Sequence, residues 1–285
     1  MESSKFYFKY DGDSESIKNH QIDAHVLATA LDSISDLIKE TDSILTGKES
    51  TVQIKTQAGF VQGSFGVEMI VLSDPEVLKV LGVIASGATA SVFSVLKNLK
   101  GAKVDEIVID EDSELAQIIT KKGETIAAPK AVAKLINSDK IRQNIDKLAH
   151  DPLSDKGIGS FSVYSDSLDD QPIIEATKGN RAYFKKPRQT QTITTTERDT
   201  IATIEFKSAN KESGKSRWTM LHLGVDEVSV KVEDEDFLAK IKRPDAPSIF
   251  GEKFKVNLTT KTSQKPGQES KKTYKIKRVI DTLRK

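Results

Sequence analysis

Apolar residues recur along this chain with two different spacings, and the spacing changes part-way through. The aromatic-rich run Phe6-Tyr7-Phe8-Lys9-Tyr10 predicts a strand over 5–10 closed by the turn pair Asp11-Gly12. Over 22–45 the apolar positions Val26, Leu27, Ala30, Leu31, Ile34, Leu37 and Ile38 repeat at helical intervals, with charges on the opposite side. Strands are predicted at 51–56 and 65–72, joined through Gly59 and Gly63. Asp74-Pro75-Glu76 has the chemistry of a helix start, with Asp74 as cap and Pro75 in the first turn. Further on come a strand (VDEIVI), a hairpin around Lys122-Gly123, and two short helices at 129–136 and 138–149.

The helix that starts at Pro75 is expected to run over 76–99 and contains no charge between Lys79 and Lys97. Within it Gly82, Ser86, Ala90 and Ser94 fall every fourth position, one above another on a helix face. A stripe of small residues lets a second backbone come close, so these four are the expected self-association residues. A buried core helix and membrane contact are the other readings. Seventeen uncharged residues rise roughly 25 Å, short of about 30 Å of hydrocarbon, and Ser86, Thr89, Ser91 and Ser94 are not favoured in lipid.

Asp151-Pro152 and the Gly157/Gly159 pair break the pattern. The expected fold class is α+β: a mixed α/β domain over 1–152, a connecting segment over 153–189, and a barrel or sandwich domain over 190–285. In the last stretch strands are predicted at 190–196, 200–207, 216–223, 225–232, 253–260 and 271–279, with one helix at 234–241. That density of short strands suggests a small antiparallel β-barrel.

Composition narrows the chemistry. The chain has 285 residues, with 43 Lys/Arg against 42 Asp/Glu and no cysteine. Thiolate metal sites, disulfides and cysteine nucleophiles are therefore excluded. The N-terminal residues have no apolar core of signal-peptide length, so the expected location is the cytoplasm or the inner-membrane surface. The first half leans acidic and the end leans basic. Lys271, Lys272, Tyr274, Lys275, Lys277 and Arg278 are the expected partner-binding residues, lysines that could track phosphates beside an aromatic platform. Strict alternation puts Lys271, Lys275 and Lys277 on one strand face, and Tyr274, Ile276 and Arg278 on the other. An ordinary amphipathic edge strand has the same appearance.

The remaining candidates weaken on inspection. Ser213-Gly214-Lys215-Ser216 ends like a phosphate loop, but Ala209 stands where the motif needs glycine and strands flank it, so it is expected to be a hairpin turn. His20, His25, His150 and His222 show no metal-ligand spacing and are expected at the surface. Asp169-Asp170 and Asp234/Asp236 sit in hydrophilic runs and are expected to be solvated rather than to act as acid and base. Trp218, the single tryptophan, is expected in the barrel core. No catalytic residue, cofactor or metal is expected.

The opening KFYFKYDG, the glycine- and alanine-rich helix near residue 80, and the pieces KSRWTM, DEDFL, IFGEKFKVNL and TYKIKRVI carry a resemblance. Together they resemble a bacterial and prophage-borne two-domain family without an assigned activity, over most of the chain. The resemblance implies an N-terminal α/β part, a small C-terminal β-barrel, no recognised catalytic residue and a place in the contest between bacteria and phages. The expected function is a non-enzymatic, self-associating interaction protein with a protein partner or a membrane surface. A nucleic-acid-binding barrel and an enzyme of unrecognised type are the alternatives.

Overall fold

The computed structural model describes residues 2–58, 65–85, 90–165, 171–188, 192–210, 213–215, 218–222, 226–265 and 268–283. The fold is mixed α/β, with seven helices among the described residues and a closed five-stranded barrel. The chain divides into two compact units, Met1–Asp105 with Leu115–Thr192, and Glu106–Glu114 with Ile193–Lys285.

In the first unit the aromatic-rich opening run becomes β1 (Glu2–Asp11), whose Phe6, Phe8 and Tyr10 are buried. The short α1 (Glu15–Lys18) and the long α2 (Ala24–Thr46) follow. Asp23 caps α2 by accepting from the His25 and Val26 amides, and Gly47 ends it in the left-handed region at φ 68°. The buried side of α2 carries Ile34, Leu37 and Ile38, the residues the helical spacing selects. β2 (Gln53–Ala58) and β3 (Phe65–Ser73) come next. An antiparallel sheet runs β2-β3-β1 and then continues through β7 (Ser160–Tyr164) and β8 (Ile174–Thr177). Phe8 lies opposite Val67 on one side and Val163 on the other, so the inward row crosses three strands. The Tyr10 ring lies 5.3 Å from that of Phe161, and its hydroxyl donates to the Leu148 carbonyl at 2.8 Å. Burial pushes the Tyr10 phenol well above its ordinary pKa, so the group stays a donor.

Two expectations for this unit are overturned. The helix expected over 76–99 is two helices, α3 (Pro75–Leu81) and α4 (Val92–Leu99). Gly82 takes φ 87° and returns its amide to the Leu78 carbonyl, closing α3 as a left-handed cap. Ser91 then starts α4, with the Ser91 and Ser94 side chains reciprocally capping each other's backbone. Gly82, Ala90 and Ser94 therefore do not share a helix face, and Ser86 lies outside the described residues. The segment expected as a connector, 153–189, with strands at 160–164 and 172–175, does form strands there, β7 and β8, but they belong to the sheet of the first unit rather than to a separate connection. Among the described residues no helix is long and apolar enough to cross a membrane.

Beyond α4 lie β4 (Val104–Asp110), the hairpin of β5 (Leu115–Thr120) and β6 (Thr125–Pro129), then α5 (Lys130–Asn137) and α6 (Asp139–Ala149). VDEIVI was expected within the N-terminal domain. Residues 106–110 of β4 instead pair in parallel with the first residues of the long β9 (Ile193–Ser208) in the second unit.

β9 is one strand where two were expected, because the polar step Glu197-Arg198-Asp199 contains no glycine or proline to turn it. β10 (Trp218–His222), β11 (Asp226–Val232), β12 (Lys253–Gln264) and β13 (Lys271–Leu283) complete the second unit, with α7 (Glu235–Ile241) between β11 and β12. The neighbours run β9-β10-β11-β13-β12 and back to β9, which closes the barrel and rules out a sandwich. Closure is not wholly antiparallel as expected: β11 and β13 are parallel. Trp218, Met220, Phe206, Phe254, Val256, Leu258 and Ile276 fill the interior. The Trp218 indole donates to the Ser213 carbonyl at 2.8 Å. Of the SGKS stretch, residues 213–215 are described and Ser216 lies outside the described residues; Gly214 is buried in a turn, its carbonyl accepting from the Val232 amide at 2.8 Å.

Gly82 generates a test. A Cβ there would stand 2.3 Å from Ser91 Oγ, on a backbone conformation that side chains rarely adopt. Gly82→Ala should cost about 1–3 kcal/mol in urea unfolding. An unchanged midpoint would mean that the turn between α3 and α4 does not depend on glycine.

Candidate functional site

The barrel unit carries a groove of about 1140 Å3, between α7, the segment after it, and the end of β13. Its floor is apolar and drawn from the core: Phe237, Ile241, Ile249 and Phe254 are buried, and Val279 is half-buried. Four carboxylates line it, those of Asp234, Asp236, Glu252 and Asp281, against two cations, Lys240 and Arg278.

The local sequence explains this arrangement. β11 runs beside β13 only from Val230–Val232 against Tyr274–Ile276. The chain then turns into α7, whose cap is Asp234. One carboxylate oxygen of Asp234 accepts from the Phe237 amide at 2.9 Å and the other accepts from the Val279 amide at 2.7 Å. Asp234 thus starts the helix and also satisfies the backbone of β13 where β11 has left it. β13 carries two bulges against β12, at Lys277 and at Ile280. Each adds a residue without a partner and re-aims the side chains that follow. Past the first bulge Arg278 is exposed and lines the groove, and Ile280, the extra residue of the second, is 47% exposed at its margin.

The six residues expected to bind a partner are therefore dispersed. Tyr274 and Ile276 do face the barrel interior together, but Arg278 does not join them, because the bulge at Lys277 breaks the alternation. The Tyr274 ring packs 5.1 Å from that of His222, a residue expected at the surface whose buried Nδ1 has no partner among the described residues. Lys275 pairs with Glu233 at 3.0 Å and Lys277 with Asp199 at 2.7 Å. Lys261 on the neighbouring strand lies 3.6 Å from Glu106 and 3.5 Å from Glu197. Lys271 and Lys272 are exposed and have no ion pair among the described residues. The lysine face is thus largely a ladder of cross-strand pairs, not an open cationic track.

Asp199 anchors that ladder. Partial burial pushes its carboxyl up, but hydrogen bonds from Lys277 Nζ and Thr259 Oγ1, with the Lys277 and Lys275 charges, outweigh this and hold it below its ordinary pKa. Lys277 is correspondingly raised, first by its hydrogen bond to Asp199.

In the first unit the sequence reading missed a second cluster. His150 Nδ1 lies 2.8 Å from Asp146 Oδ1 and 3.2 Å from Asp151 Oδ1, a group with metal-ligand spacing. The i, i+4 pair Asp146/His150 on α6 was the legible signal. The imidazole nitrogen already stands between the two carboxylates. Arg142, one turn earlier, adds positive charge to Asp146; burial pushes its guanidinium down to about 10 and Asp146 opposes that shift. Burial is also the main cause that raises the Asp146 carboxyl. His150 hydrogen-bonds to Asp151 and lies in ion-pair contact with Asp146 at the end of α6, and the segment is tied to the following chain by the Arg142 bond to the Lys185 carbonyl at 2.9 Å.

Two outcomes follow from these contacts, both readable through the fluorescence of Trp218. Asp234→Ala removes a helix cap and strands the Val279 amide, and should cost about 2–4 kcal/mol, whereas Asp234→Asn keeps one acceptor oxygen but sets an NH2 donor against the other amide, and should recover only part of that loss. Full recovery by Asn would mean that only one of the two hydrogen bonds contributes. The depressed Asp199 carboxyl stabilises the fold fully above its unfolded pKa of about 3.9, and this contribution disappears as pH falls through the lower folded value. Asp199→Asn should therefore be less stable than wild type at neutral pH, with the gap closing below about pH 4; a constant gap would contradict the ion pair.

Comparison of the chain with family models, with curated proteins and with solved structures returns no match.

Proposed function

We propose that the protein is a non-enzymatic interaction protein whose C-terminal barrel holds a polypeptide partner in the groove beside α7. The observation that carries this reading is the stretch of β13 beyond Ile276, which has lost its β11 neighbour and borders an apolar floor with a charged rim. A strand without a neighbour on one side offers backbone donors and acceptors. Buried apolar residues within a polar margin supply contact area, as in known recognition sites.

One observation favours a second reading, binding of an oligonucleotide. The neighbour order, the parallel β11–β13 pair and the helix between β11 and β12 match the connectivity of an OB-fold, which binds single strands on its outer face. Fold alone assigns no activity. The outward residues of β10 and β11 are Thr219, Leu221, Glu227, Ser229 and Lys231, without an aromatic ring for base stacking.

The test is selection of a displayed random-peptide library on the full chain, alongside titration with a fluorescent twenty-nucleotide oligo-dT. Ile280 is exposed, so Ile280→Asp spoils the groove without burying a charge. The expected result is a set of peptides that lose at least tenfold affinity for Ile280→Asp, with no oligo-dT binding. Oligo-dT binding that weakens steeply with salt, without peptide selection, would replace this reading with the second.

A further inference from the structure

The groove also specifies the charge and conformation of its occupant. We infer that it takes an extended, basic polypeptide segment, its main chain along β13 beyond Ile276 and its Lys or Arg side chains against Asp236, Glu252 and Asp281. This rests on the polypeptide reading above and deepens it.

The conformation follows from the strand. From Lys277 to Leu283 β13 remains paired with β12 on one side, while on the other side its partner β11 has ended. Past Val279 the stretch 280–283 remains, long enough at about 3.3 Å per residue to lie beside roughly four residues of an added strand. Asp234 marks where the addition begins, because its carboxylate already supplies the Val279 amide with the acceptor that a strand would provide. Alternate side chains of a strand point to opposite faces, so an occupant presents one row to the apolar floor and another to the rim. Half-exposed Ile280, and Phe250 next to floor residue Ile249, extend the apolar surface for the first row.

The charge follows from the rim. Its carboxylates outnumber its cations by four to two. Asp234 already accepts from two amides, whereas Asp236 is exposed and Asp281, also exposed, accepts from the Thr282 amide through one oxygen only. A basic side chain meets net attraction here and an acidic one net repulsion, which sets partner choice and encounter rate more than affinity alone.

The experiment repeats the peptide selection on wild type and on Asp236→Lys/Asp281→Lys in parallel. Asp236→Asn/Asp281→Asn serves in its place if the lysine pair fails to fold by circular dichroism. Peptides from the wild type should be enriched in Lys and Arg, bind at least tenfold more weakly to either double variant, and weaken with salt. The lysine variant should select acidic peptides instead. Wild-type peptides that lack basic enrichment and bind the double variants unchanged, yet are lost with Ile280→Asp, would overturn this inference and leave the polypeptide reading standing. If the wild type selects no peptide, both fall.

Discussion

Closing a five-stranded barrel through one parallel pair forces the chain to leave the sheet between the two parallel strands, since a hairpin cannot join them. In this protein the departure comes after Val232 and the return to the pair comes at Lys271, with α7 and β12 between. Much of the barrel unit's functional surface follows from that detour. β11 stops being a neighbour of β13 once it must turn into α7, and Asp234, at the turn, hydrogen-bonds to both structures. The groove is the space left where a helix, rather than a strand, lies beside the end of β13.

Charge on this unit is organised by pairing across strands. Asp199, Thr259 and Lys275 are register partners on adjacent strands, and the Lys277 bulge brings a further ammonium to the same carboxylate. Exposed pairs of this kind contribute little stability individually. Their larger effect is on the electrostatic surface, because each paired lysine is withdrawn from the attraction of an external anion. The basic count of the C-terminal stretch therefore overstates its cationic surface, while the groove, with fewer charges, carries a clearer sign.

How much was legible in the sequence depended on the range of the interaction that decided each element. Local patterns were read well: the strand over 5–10, the spacing that orients Ile34, Leu37 and Ile38, the Asp74-Pro75 helix start, and Trp218 in the barrel interior. The reading failed where one residue's backbone state outweighed a periodic pattern. Gly82 in the left-handed region turned one expected helix into two, although the small residues around it kept perfect four-residue spacing. It failed again where long-range pairing decides. Nothing near VDEIVI shows that residue 106 will lie opposite residue 193, and nothing near Arg278 announces the bulge that turns it outward. The groove was invisible for the same reason, being assembled from residues 234–282 whose local sequence reads as solvated charge.

The pairing of β4 with β9 gives the barrel unit a discontinuous origin. Its first strand is synthesised long before the strand that will cover it, and the second segment of the first unit, Leu115–Thr192, is made in the interval. At translation rates of roughly 5–20 residues per second, that edge stays uncovered for several seconds in every nascent chain. Glu106, Asp110, Glu111, Asp112 and Glu114 surround it, so the waiting segment is highly anionic. Like charges of this density repel neighbouring copies on a polysome, and they suit a strand that must remain soluble until its partner arrives.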